Sequence, residues 1–252
     1  MKLAIIQPTS TLGSIGAWND YHLCLAQQVL KDQEYTEFYR DLRQRGDFII
    51  LDNGKAEGVS LTDEELLEAV NRVDPTVVVA PDIIGQGAES LQVTLDFLDW
   101  MDSRSSVAVM GIPHLNGQDV DSFYRHFEIL EADPRITMIG ISKYAIPEGM
   151  SRCLIVAGIE SSLTPIHLLG LSQVDGVLEP LMYSNTLPIL GIDSSHYYLH
   201  AVEHTHQPPT GWQASQIMKR DKAFMEMEPP SLLKNWLVDC RLEELVALVG
   251  GH

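Results

Sequence analysis

The chain has 252 residues, 45% of them hydrophobic, with 35 acidic against 17 basic residues and a formal charge of −18. This is ample apolar content for one core, no Pro/Gly/Ser-rich linker or charge block divides it, and no apolar run approaches the ~18 residues needed to span a bilayer. The acidity counts against a nucleic-acid-binding surface of the ordinary kind, in which Lys and Arg neutralise phosphates.

In chain order, short apolar and mostly β-branched runs predict strands at Leu3–Ile6, Phe48–Leu51, Thr76–Ala80, Val107–Ile112, Ile136–Ile141, Pro165–Leu169 and Pro188–Ile192. From the second onward they recur at intervals of roughly 25–30 residues, the length of one βα unit. Helices are expected between them. Leu61–Val73 opens with Thr62 and, three residues on, Glu65, a capping-box pattern. Glu89–Met101 places Leu91, Leu95, Leu98 and Met101 on one face, and Val120–Leu130 does the same with Phe123, Phe127 and Leu130. Such alternation predicts a single-domain α/β protein, a TIM-type (β/α)₈ barrel of the usual length of about 250 residues, with an open doubly wound sheet as the alternative. An eighth strand is not evident; Gly211–Glu228 contains no clean candidate. Pro229–Gly250 reads as a carboxyl-terminal amphipathic helical segment that packs on the barrel or pairs with a second copy.

Met1–Ile6, interrupted by Gln7-Pro8, is too short for a signal peptide, which gives the expectation of a soluble, cytoplasmic protein without a membrane partner. Cys24, Cys153 and Cys240 are too widely spread for a disulfide framework or a metal pair, and each reads as a small buried hydrophobe. Basic residues cluster modestly at Arg40-Arg43-Arg45 and Lys219-Arg220-Lys222. A solvated helix face is the favoured reading for each, a phosphate-facing patch the sharper one.

The most informative residues are Asp52, Asp82 and Asp193, each placed at the end of a predicted strand. In α/β enzymes that is where the chemistry is carried. Around them several segments resemble motifs of the guanine transglycosylases. Leu51-Asp52-Asn53-Gly54-Lys55-Ala56-Glu57 is similar to that family's Asp-Ser-Gly-Gly-aromatic-Gln strand end. Ala80-Pro81-Asp82 stands in the place of its second aspartate, and Gly111-Ile112-Pro113-His114 in that of its Gly-Ile-x-Gln loop. Gly140 with Ile141 resembles its base-binding glycine loop, and Ile166-His167-Leu168-Leu169-Gly170 its Tyr-Leu-Met-Gly strand. Gly191-Ile192-Asp193-Ser194-Ser195 resembles the segment that carries its nucleophilic aspartate. The resemblance is collinear over about residues 48–200. The tRNA enzymes' zinc-binding cysteines have no counterpart here, and the chain is short, so the likeness is to the phage-type branch that exchanges guanine in DNA for a 7-deazaguanine base. This implies DNA and a free 7-deazaguanine base as partners and host cytoplasm as the location if the source is viral; a homodimer paired through the carboxyl-terminal segment, or an accessory protein that lends positive surface, is a further expectation.

The chemistry follows from the residue types as well. Base exchange at C1′ passes through an oxocarbenium-like state, and a retaining double displacement needs a carboxylate nucleophile and a second group for proton transfer. Asp193 is the candidate nucleophile. Asp52 is the candidate general base, with a proton affinity raised by burial and acidic neighbours. Asp82 suits the Watson–Crick edge of a guanine-like base, while Asn53, Gly54, Glu57, Gly111, His114, Gly140, Ile141 and Gly170 complete the candidate substrate pocket. If the substrate is duplex DNA, the nucleotide must be flipped out.

Duller readings stand beside these. An aspartate after a strand often caps the next helix, Asn53-Gly54 is a common turn, Glu57 suits a surface, His114 a structural hydrogen bond, and Ser194-Ser195 helix caps. His196, His200 and His204 recur at helical spacing, with His206 nearby, and could chelate zinc. A polar helix face is the favoured reading, so no cofactor is expected. Tyr197, Tyr198 and Trp212 read as packing residues rather than stacking platforms. A hydrolase that cleaves the base–sugar bond without exchange, and a non-catalytic acidic mimic of nucleic acid, are the rival functions.

Overall fold

The computed structural model describes residues 2–6, 8–10, 12, 19–170 and 187–194. Eight parallel strands form one sheet: β1 (Lys2–Ile5), β2 (Tyr21–Leu25), β3 (Phe48–Asp52), β4 (Val77–Val79), β5 (Ala108–Gly111), β6 (Ile136–Ser142), β7 (Ile166–Leu169) and β8 (Ile189–Ser194). The order β1-β8-β7-β6-β5-β4-β3-β2 runs once around a nearly closed barrel. Where its two ends meet, the Asn19 side-chain amide donates to Leu3 O at 3.0 Å and Tyr21 O at 2.8 Å, joining β1 to β2. The expected TIM-type barrel is therefore the observed architecture, and a doubly wound open sheet is not.

The strand that the sequence left unplaced is β2. Its side chains alternate between two apolar layers: Tyr21, Leu23 and Leu25 point into the barrel, and Cys24 points toward the helices. Other strands obey the same parity. Ile50, Val77, Val79, Met110, Ile112 and Met138 fill the interior, while Ile49, Leu51, Val78, Val109, Ile139, Leu168 and Ile192 meet the outer helices. Burying each large apolar side chain contributes about 1.5–3 kcal/mol, which favours a period of two; it slips in β6 between Ile136 and Met138 and in β8 between Leu190 and Ile192, strands whose pairings carry register shifts.

The helices are α1 (Ala26–Lys31), α2 (Gln33–Arg45), α3 (Asp63–Val73), α4 (Gly87–Met101), α5 (Val120–Ala132) and α6 (Arg152–Ala157). The capping box of α3 forms as expected: Glu65 N–H donates to Thr62 Oγ1 and the Glu65 carboxylate accepts from Thr62 N–H. Phe123, Phe127 and Leu130 of α5 are buried as predicted. On α4 the buried face is rotated from the expected one, running through Ser90, Thr94, Phe97, Leu98 and Met101, with Leu91 and Leu95 half-buried at its edge. Thr94 can lie in this face because its hydroxyl donates to Pro81 O at 3.1 Å.

One further expectation is corrected. Cys24 is buried but Cys153, near the start of α6, is only half-buried. The basic cluster of α2 sits at the amino-terminal end of the barrel, since α2 leads directly into the start of β3. There Arg43 donates to Asp74 O and Arg45 to Asp47 and to Asn19 O, so both are tied to the chain's own acceptors, remote from the strands' carboxyl ends. No helix among the described residues is long and apolar enough to cross a membrane. The candidate histidines His196, His200 and His204, with His206, the aromatic residues Tyr197, Tyr198 and Trp212, the cluster Lys219-Arg220-Lys222, Ser195, Cys240 and the segment Pro229–Gly250 lie outside the described residues.

Candidate active site

Asp52 is the last residue of β3, Asp82 lies three residues beyond β4, and Asp193 is the penultimate residue of β8. All three therefore stand at the carboxyl end of the barrel, and parity turns Asp52 and Asp193 inward. They lie near enough for their charges to act on one another. The Asp52 carboxyl is pushed well above the usual carboxylate range, first by burial, then by the charges of Glu57 and Asp193 and, less strongly, Asp82, with the hydrogen bond from Gly54 N–H opposing. Among the described residues that 3.1 Å bond to Oδ2 is the one hydrogen bond Asp52 makes, so a carboxyl group of raised proton affinity is left with its other oxygen free.

Asp193 is held differently. His167 Nε2 and Gly170 N both approach Oδ1, at 2.9 and 3.1 Å. Oδ2 has no hydrogen-bond partner among the described residues. Behind His167, Nδ1 is 2.7 Å from the Tyr21 hydroxyl. All three side chains are buried within the barrel. Tyr21 and His167 were not singled out by the sequence, although an inward histidine one strand from Asp193 is what parity counting along β7 and β8 would have exposed.

Asp82 is the hub of a second network. Its Oδ1 accepts from Asn53 Nδ2 at 2.9 Å and its Oδ2 from His114 Nε2 at 2.8 Å. Asn53 also donates to Ala80 O at 2.7 Å, so it links the end of β3 to the end of β4. Asn53 and His114 thus orient Asp82, and each carboxylate oxygen keeps a second lone pair for a ligand. His114 Nδ1 is buried and without a partner among the described residues.

The remaining candidates divide. Gly54 adopts φ 76°, and a Cβ there would stand 2.3 Å from Gln27 Oε1, so the position demands glycine. Gln27, in the first turn of α1, is a mouth residue that the sequence did not reveal; its Oε1 is buried and unpartnered among the described residues. Glu57 is exposed on the short 3₁₀ turn Lys55–Glu57, where its charge reaches Asp52. Gly170 supplies an N–H to Asp193 Oδ1. Gly140 faces the interior, but the space a side chain would take is filled by Leu169 and Met110. Gly111 faces the helix layer, against Leu130 and Ile136. The Ile141 side chain is likewise in the outer layer, and its carbonyl accepts from Arg152 at 2.7 Å. Gly111 and Ile141 therefore serve packing in this structure, and neither side-chain position opens on the barrel mouth.

Arg152 explains part of the rigidity of this region. It is 1% exposed, and its guanidinium donates to Ile141 O, Leu169 O and Gly170 O at 2.7, 2.8 and 2.5 Å, pinning the ends of β6 and β7 together beside the loop that holds Asp193. The mouth thus pairs a buried carboxyl group of raised proton affinity with a second one oriented by two donors on one oxygen. Comparison with protein-family models finds none that matches the chain, and comparison with curated proteins finds no match either.

Proposed function

We propose that this chain is a pentosyltransferase of the guanine transglycosylase type, exchanging guanine in nucleic acid, DNA in preference to RNA, for a 7-deazaguanine base. The observation that carries the reading is the convergence at one barrel mouth of a buried Asp52 of raised proton affinity and an Asp193 whose Oδ2 is uncommitted among the described residues. In the first half-reaction Asp193 Oδ2 bonds to C1′ as the C1′–N9 bond breaks, and the Asp52 proton passes to the departing guanine. The incoming base then loses its N9 proton to Asp52 and attacks C1′, and the bonding pair returns to Asp193. One group that serves as acid and then base needs a proton affinity near neutrality, and burial with like charges moves Asp52 in that direction.

Asp82, fixed by Asn53 and His114, has the lone pairs to accept from N1–H and the exocyclic amine of guanine. The acidity of the chain calls for an accessory protein to provide positive surface for a polynucleotide, since a second copy would be equally acidic. The buried thiol of Cys24 suits a reducing cytoplasm, that of a host if the source is viral.

Labelled guanine offered with DNA tests the reading. Incorporation of label into polymer by the wild-type chain and not by Asp193→Asn is the expected result. Release of base without uptake favours the hydrolase, and neither event, with function retained in Asp193→Asn, favours an acidic mimic.

A further inference from the structure

Among the described residues of the barrel interior, Tyr21 on β2, His167 on β7 and Asp193 on β8 form one hydrogen-bonded line. With Asp193 as a carboxylate, which can only accept, a neutral His167 carries its hydrogen on Nε2 and leaves Nδ1 as the acceptor. Burial and the Asp193 charge raise the Tyr21 phenol, which therefore keeps its proton and donates to Nδ1. The ring of Tyr21 reaches this position because β8 has Gly191 opposite it. A Cβ there would lie 2.6 Å from Tyr21 Cε1, and Gly191 is in register with His167. Tyr21 is further fixed by stacking on Phe48, with centroids 5.2 Å apart.

Resting on the transglycosylase reading, we propose that Tyr21 and His167 are positioning residues that lock Asp193 in one orientation, with Oδ1 held by donors and Oδ2 presented to the sugar. Tyr21 fixes the His167 tautomer, and His167 with the Gly170 N–H fixes the carboxylate. When the bonding pair returns to Asp193 as the covalent intermediate is resolved, the same two donors stabilise the released charge. Loss of the relay thus slows resolution of the adduct more than formation of the encounter complex.

The test uses the full-length chain and two readouts. Side-chain nitrogen shifts of histidine in the unliganded protein are expected to show His167 with hydrogen on Nε2 and a hydrogen-bonded Nδ1. Tyr21→Phe, which removes one oxygen and keeps the ring, should move the Nδ1 resonance to that of an unbonded acceptor. In guanine exchange, Tyr21→Phe should lower kcat about tenfold, the value of one neutral hydrogen bond, with KM for the polynucleotide unchanged and a longer-lived covalent adduct. His167→Gln should cost more, and adding Tyr21→Phe to it should cost nothing further. Unaltered exchange by Tyr21→Phe, or a His167 with its hydrogen on Nδ1, overturns the proposal. If the wild-type chain exchanges no guanine, the transglycosylase reading fails on its own account. The nitrogen shifts still decide the relay: a His167 spectrum indifferent to Tyr21→Phe overturns it, and the expected shift upholds it.

Discussion

Gly191 and Tyr21 pack against each other across the barrel interior so closely that any side chain at 191 would overlap the Tyr21 ring and the Lys2 carbonyl, at 2.6 and 2.8 Å from a Cβ. Neither neighbour gives way cheaply, since one is a buried ring and the other is backbone. Gly191→Ala should destabilise the fold by about 2 kcal/mol, the usual cost of overpacking. Thermal or denaturant unfolding measures it, and an unchanged midpoint would show that the interior has slack at this layer.

Asp52 gives stability a pH dependence of definite sign. Its folded proton affinity lies above that of an unfolded aspartate, about 3.9. Between that value and the raised folded value the native state holds a proton that the unfolded chain has lost, so this group's contribution is fully present at lower pH and is lost as pH rises. Asp52→Asn removes the titration and keeps an acceptor for Gly54 N–H. Its melting temperature relative to wild type should rise progressively from pH 4 toward pH 8. A difference that stays constant over the range contradicts the account of Asp52.

Arg152 should resist conservative replacement. A lysine keeps the charge but presents a point donor where a planar fork now serves three carbonyls on two strand ends. Arg152→Lys leaves buried acceptors unmet and should cost about 3 kcal/mol. A variant as stable as wild type in chemical denaturation would show that the clamp is dispensable.

Thr62→Ala deletes one half of the α3 capping box. The expected loss is about 1 kcal/mol. Since α3 is far from Asp193 in the sequence and is not part of either carboxylate network, guanine exchange at a temperature well below unfolding should be unaffected.

Much of this could be read from the residues, and the gaps have physical causes. Apolar β-branched runs gave seven strands because their hydrophobicity is unbroken on both faces. β2 escaped because Tyr21-His22-Leu23-Cys24-Leu25 has a histidine in its outer face, where His22 meets Asp47 at 2.9 Å, and because Tyr21 turns its hydroxyl inward to His167. The long interval between Leu3 and Phe48 was the signal that a unit stood there. Strand-end aspartates were visible because a carboxylate after an apolar run is conspicuous. The residues that orient them were less so: Tyr21 and His167 sit inside strands, and Gln27 is announced only by the glycine it covers. Gly111 and Ile141 show the reverse error. Motif position suggested a pocket, while alternation along β5 and β6 turned both toward the helices.

The central claim is that Asp193 attacks a sugar carbon, and the mass of the protein after incubation with a guanine-containing oligodeoxynucleotide tests it most directly. A denaturation-resistant adduct on the peptide containing Asp193, absent from Asp193→Asn and discharged by added 7-deazaguanine base, is the expected result. An adduct on another residue, or exchange of labelled guanine that persists in Asp193→Asn, would contradict it.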